Sequence, residues 1–158
     1  MENIKVLKVK YTRNGVEYEQ FIEESERQWW IDFKEKWEDM TTLEFEYDYT
    51  EQKAEDIRKA SQECQEKILG GFDSDCLGMT KHFDCEMTDQ ATIQGLCLTA
   101  IMGLGSFASE ETHWKASGEL ECYKFEYAQV IRLSIDMKKH IGTSINEFNA
   151  RRVEILNE

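Results

Sequence analysis

Residues 68–96 read ILGGFDSDCLGMTKHFDCEMTDQATIQGL. The segment closes one helix and opens another. Ile57, Ala60, Cys64 and Ile68 recur at intervals of three or four, a narrow apolar stripe for a helix that begins near Glu51. Gly70-Gly71 ends it where a left-handed cap residue is wanted, and Phe72 can fold back on the last turn. A short loop through Leu77-Gly78 leads to an aromatic-bearing segment at His82-Phe83. Thr88 or Asp89 then caps the next helix, where an acid also suits the positive helix start. The stripe of that helix is Ile93, Leu96, Cys97, Ala100, Ile101 and Leu104, and Gly103 and Gly105 mark its end.

Downstream, Trp114 to Tyr123 reads as a hairpin turning at Ala116-Ser117-Gly118, and Phe125 to the C-terminus as one long helix. Tyr127, Val130, Ser134, Met137, Ile141, Ile145, Phe148, Arg152 and Ile155 are spaced by threes and fours along it. That spacing is nearer 3.5 than 3.6, which suits either packing on the other two helices or a self-associating seam. Packing within the chain is the simpler reading. The part beyond Ile141 is expected to outrun the domain and reach a neighbouring subunit, which makes Ile141, Ile145 and Phe148 candidate interface residues.

Upstream the period changes to two. Ile4 to Tyr11 alternates as a strand, Arg13-Asn14-Gly15 is a turn signal, and Val16 to Ile22 returns, so a β-hairpin is expected. Trp29, Trp30, Phe33 and Trp37 fit a short amphipathic helix between Glu24 and Glu38. Thr42 to Tyr49 alternates again, with Leu43, Phe45, Tyr47 and Tyr49 on one face. The expected fold class is α+β: a β-rich attachment unit over residues 1–50, then a three-helix module with short hairpins over residues 51–158.

With 158 residues, 41% hydrophobic and 11% aromatic, the chain can bury a real core. Its formal net charge of -13 argues against nucleic acid or an anionic membrane as partner. Between Glu23 and Asp56 there are 13 Asp or Glu against 4 Lys or Arg. A solvated, self-repelling face explains them, and a dock for a basic partner is the sharper reading. No run approaches the ~20 apolar residues that span a membrane, so no membrane insertion is expected. The charged, alternating N-terminus does not read as a signal peptide, so a protein made in the cytosol and kept there until assembly is expected. The five cysteines are odd in number and widely spaced with no CxxC pair, as reduced thiols filling a core would be.

Several chemistries can be weighed against these simpler readings. Asp73, Asp75, Gly78 and Asp84 fall at positions 1, 3, 6 and 12 of a calcium-loop count, but Leu77 stands where an oxygen ligand belongs. Cys76, His82 and Cys85 could be imagined around zinc, without the close ligand pairing that zinc sites use. Neither is adopted, and no cofactor is expected. His82, His113 and His140 accompany several thiols but no nucleophile signature, and no pair of acids is singled out for glycoside hydrolysis. The chain is therefore not expected to be an enzyme. Trp29, Trp30 and Trp37 are the best candidates for a partner surface. Two adjacent tryptophans lie about 100° apart on a helix, so both cannot face one core.

Taken in order, Gly71-Phe72, Ser74, Leu77-Gly78, Phe83, Asp89-Gln90, Ile93, Gly95-Leu96, Trp114, Gly118, Ala128-Gln129-Val130, Asp136 and His140 form a signature over residues 52–156. It resembles an uncharacterised domain recurrent in tail-fibre, baseplate-associated and tail-fibre-assembly proteins of bacteriophages and prophages. The resemblance implies a non-catalytic structural or adaptor protein of the virion tail, assembled in the host cytoplasm. Its partners would be other tail, baseplate or fibre proteins, with homo-oligomerisation and a trimer suiting fibre symmetry. An assembly chaperone absent from the mature virion, and a receptor- or glycan-binding module using the Trp-rich stretch, are the alternatives.

Overall fold

The computed structural model describes residues 6–102 and 112–158. The chain is α+β and divides into two compact units, Met1–Arg58 and Lys59–Glu158. Strand β1 (Val6–Arg13) and strand β2 (Val16–Ile22) form the hairpin that Asn14-Gly15 closes. Both turn residues have positive φ, 51° and 77°, as a two-residue turn matched to strand twist requires. Ile4, expected on the first strand, lies outside the described residues. One 3-10 turn (Glu24–Glu26) leads into helix α1 (Arg27–Lys36), and strand β3 (Met40–Asp48) returns along β1. The sheet order is β2-β1-β3, antiparallel throughout.

Alternation in β1 sends Leu7 and Val9 to the face that α1 covers, where they meet Ile22, Trp30 and Met40. Helix α1 is shorter than the expected 24–38. It ends at Lys36 because Trp37 turns extended, with φ -107° and ψ 101°.

Helix α2 (Thr50–Leu69) runs through the boundary between the units. It is followed by β4 (Phe72–Ser74), β5 (Lys81–Phe83), helix α3 (Met87–Met102), β6 (Thr112–Trp114), β7 (Tyr123–Phe125) and helix α4 (Tyr127–Asn157). The segment expected as loop plus aromatic segment is thus itself a hairpin, pairing Phe72 with Phe83, Asp73 with His82 and Ser74 with Lys81. The second hairpin pairs Trp114 with Tyr123 and turns at Ser117-Gly118. The core of this unit gathers Phe72, Phe83, Cys85, Ile93, Val130 and Met137, among others, from both hairpins, α3 and α4.

Helix α3 starts at Met87, two or three residues earlier than a Thr88 or Asp89 cap would place it. Asp89 sits inside the first turn and accepts from the Glu86 amide at 3.0 Å. Ile101 is 64% exposed, because Ala100, about 100° away round the helix, takes the inward position. Leu104, Gly103 and Gly105 lie outside the described residues.

On α4 the buried positions after Val130 and Ser134 are Met137 and then Ser144, not Ile145, which is 43% exposed. The inward row keeps its alternation of three and four, and Ser144 is small enough to let α2 approach. Its hydroxyl donates to the His140 carbonyl at 3.0 Å, and its own carbonyl accepts from the Cys64 thiol at 3.4 Å. Beyond Ile141, therefore, α4 does not run free. Cys64 and Lys67 of α2 lie along it, and Lys67 pairs with Glu147.

Candidate functional site

A group of polar side chains of the helical unit meets at the β4-β5 hairpin. Gly71, with φ 95°, brings the end of α2 so close to β5 that a Cβ there would stand 2.6 Å from the Phe83 carbonyl oxygen and collide with the His82 ring. That approach places His82 Nε2 2.9 Å from the Gly70 carbonyl, one of the acceptors a helix end leaves over. His82 Nδ1 is 2.8 Å from Asp73 across the hairpin. Both ring nitrogens face acceptors, which suits the doubly protonated imidazolium. Asp73 foremost, then the Gly70 carbonyl, hold the His82 pKa above its usual value near 6.5.

On the other side of the hairpin, buried Ser74 donates to Asp136 at 2.7 Å and accepts from the Cys76 amide at 3.2 Å. Arg132 completes the group, 3.1 Å from Asp136 and 3.3 Å from Asp75. His140 reaches the carbonyls of Lys67 and Ile68 at 3.1 and 3.4 Å and stacks over Phe72 with centroids 6.3 Å apart. Gln90 donates to the Cys85 carbonyl at 2.9 Å, and the Ser117 amide donates to the His82 carbonyl at 2.8 Å. Lys81 joins the two hairpins through Glu119 at 2.6 Å and lies over the Tyr123 ring. Each of these groups is engaged with backbone or with another of its kind. The arrangement fixes a conformation.

The same geometry places the residues considered for metal chemistry. Asp73, on the paired strand β4, turns to His82, and Asp75, just past it, turns to Arg132. Cys76 and Cys85 are buried in the core, and burial pushes both thiols up, away from the thiolate that binds metal or attacks carbonyls. Among the described residues no group of three or more His, Cys, Asp or Glu could hold an ion.

The aromatic candidates separate. Trp30 is 6% exposed, packed on Tyr11 with centroids 5.0 Å apart, so it belongs to the core and offers no surface. Trp29 is 54% exposed and stacks on Phe33 at 4.4 Å. Trp37 is half-buried beneath the Arg13 guanidinium, 3.7 Å from its ring centre. Arg13 also holds Asp39 at 2.7 Å and keeps its carboxyl below the usual range. Of the α4 candidates, Ile141 is half-buried against the core and Phe148 lines a groove with Ala60 and Cys64 of α2, leaving Ile145 outward.

The Ser74–Asp136 and Asp73–His82 pairs were not foreseen as contacts. Their only sequence signal was a three-residue strand pattern on each side of Leu77-Gly78, too short to read as pairing.

No curated protein and no solved structure matches the chain. The model of the family described as "Domain of unknown function (DUF4376)" matches residues 51–158, well over half the chain, and the chain belongs to that family.

Proposed function

We propose that this protein is a non-catalytic component of a bacteriophage or prophage tail, joining tail, baseplate or fibre proteins by protein–protein contacts. The observation that supports it best is the fate of the polar side chains around β4-β5. Ser74, His82, Asp136 and His140 hold backbone and one another, instead of ringing a cleft with groups poised for reaction. In this reading the helical module is a rigid block, and the N-terminal unit, with Trp29 exposed on α1, is the part that attaches.

A tail-fibre assembly chaperone is the second reading, since the same surfaces would serve a transient complex. Sedimentation of tagged protein from a producing culture separates the two. Co-migration with intact particles after a high-salt wash supports the component, and confinement to a slowly sedimenting soluble complex supports the chaperone. Glycan binding by the purified chain, lost on Trp29→Ala, would move the function to receptor recognition.

A further inference from the structure

The N-terminal sheet is built as acid, base, acid. Its central strand β1 (VLKVKYTR) alternates apolar and basic residues, whereas β2 (VEYEQFI) and β3 (MTTLEFEYD) alternate apolar and acidic ones. On the solvent face three ion pairs run outward from β1: Lys8 to Glu19 at 2.8 Å, Lys8 to Asp48 at 3.8 Å, and Lys10 to Glu46. The sheet thus contains its own example of the strand that an acidic neighbour accepts.

Strand β2 has β1 on one side only, and among the described residues no strand pairs with its other side. Six of its seven residues are exposed, with Phe21 at 61%. In a two-residue hairpin the closing pair, here Arg13 and Val16, exchanges hydrogen bonds. Counting along β2 from Val16, the amide and carbonyl groups of Glu17, Glu19 and Phe21 therefore point to the open edge. Glu17 makes no ion pair among the described residues, and Glu19 is answered from the β1 side alone.

We propose that the open edge of β2 is a docking site for an extended segment of a partner protein whose residues alternate between basic and apolar. Such a segment adds a fourth strand. Its backbone takes the free edge groups, its Lys or Arg residues meet Glu17 and Glu19, and its apolar residues continue the face of Val16 and Tyr18. A second copy of this chain is a poor occupant. Antiparallel pairing of two β2 edges sets glutamate against glutamate, which is destabilising on a sheet. The acidic alternation keeps like edges apart and selects an oppositely patterned strand.

This deepens the reading of the N-terminal unit as an attachment unit and rests on it for the partner's being a protein. The test is independent of whether the chain is found in particles. The full-length chain, labelled with nitrogen-15, is titrated with a synthetic peptide of the β1 sequence VLKVKYTR, and with the same peptide carrying Glu for both Lys. The expected result is saturable shifts confined to residues 16–22, with the Glu17, Glu19 and Phe21 amides exchanging about ten-fold more slowly once most of the chain is bound. Glu17→Lys, which removes no ion pair of the fold, weakens binding about two- to five-fold. The charge-reversed peptide gives no saturable shift. Four results overturn the proposal: no saturation up to about 1 mM peptide, equal binding of both peptides, shifts on β3 without edge protection, or sedimentation showing that a second copy occupies the edge.

Discussion

Replacing Gly71 by alanine isolates what the close approach of α2 to β5 contributes. The backbone at Gly71 has φ 95°, so any residue with a Cβ is strained there by about 1–2 kcal/mol before contacts are considered. The new methyl would also stand 2.6 Å from the Phe83 carbonyl oxygen and against the His82 ring. The hairpin must then retreat, at a further cost of about 1–3 kcal/mol for overpacking. Together these come to about 3 kcal/mol. For a cooperative unit of roughly 100 residues, that lowers the melting temperature by about 12–24 °C. Gly78 provides the control, because its φ is 83° but nothing lies within 4 Å of an added Cβ. Gly78→Ala should show only the backbone share, about 1–2 kcal/mol. Urea unfolding followed by circular dichroism, fitted separately for the two units, measures both. Equal losses for the two variants, within about 0.5 kcal/mol, would refute the argument that Gly71 is required by contact and not only by its φ.

Phe83→Ala should cost about 3–5 kcal/mol because the ring is fully buried, whereas Leu120→Ala, at 99% exposed, should stay within about 0.5 kcal/mol, both read from the same unfolding curves. Ser74→Ala leaves the Cys76 amide without its side-chain acceptor and Asp136 with Arg132 alone, and should cost about 1–3 kcal/mol. His82 should titrate by NMR above the ordinary histidine value, and Asp73→Asn should bring it down. The sign follows from the raised value. Stabilisation from protonated His82 is complete below about pH 6.5 and is lost as pH rises through the folded-state pKa. Timed alkylation read by mass spectrometry should label exposed Cys122 first and buried Cys76 and Cys85 last.

The sequence made some of this structure legible because local chemistry and tertiary demand agree there. Asn14-Gly15 can form only one kind of tight turn, so the first hairpin and the span of β2 follow from it. Gly71 marks the end of α2 for the same reason. The misreadings came where packing chose between two locally equivalent residues. Hydropathy prefers Ile145 to Ser144, but the row facing α2 continues through Ser144, whose hydroxyl is satisfied by its own helix. Likewise Ile101 yields to the smaller Ala100. The hairpin of β4 and β5 is three residues a side, too short for periodicity to register, yet Asp73, Ser74, Lys81 and His82 on it anchor contacts to α2, α4 and the second hairpin. Its partners on α4, Asp136 and His140, are more than fifty residues away in sequence, and no single-chain pattern links them to Ser74 or Phe72. The open edge of β2 was equally hidden, since an edge is a property of strand order and not of the strand.

The chain is proposed to be a built-in part of a tail. Quantitative mass spectrometry of purified particles, with copy number scaled to the major tail protein, tests it most directly. The expected result is a fixed stoichiometry in a multiple of three or six that survives stringent washing. Absence from the particles, with the protein recovered only in soluble complexes of the producing cell, would contradict it and leave an assembly factor in its place.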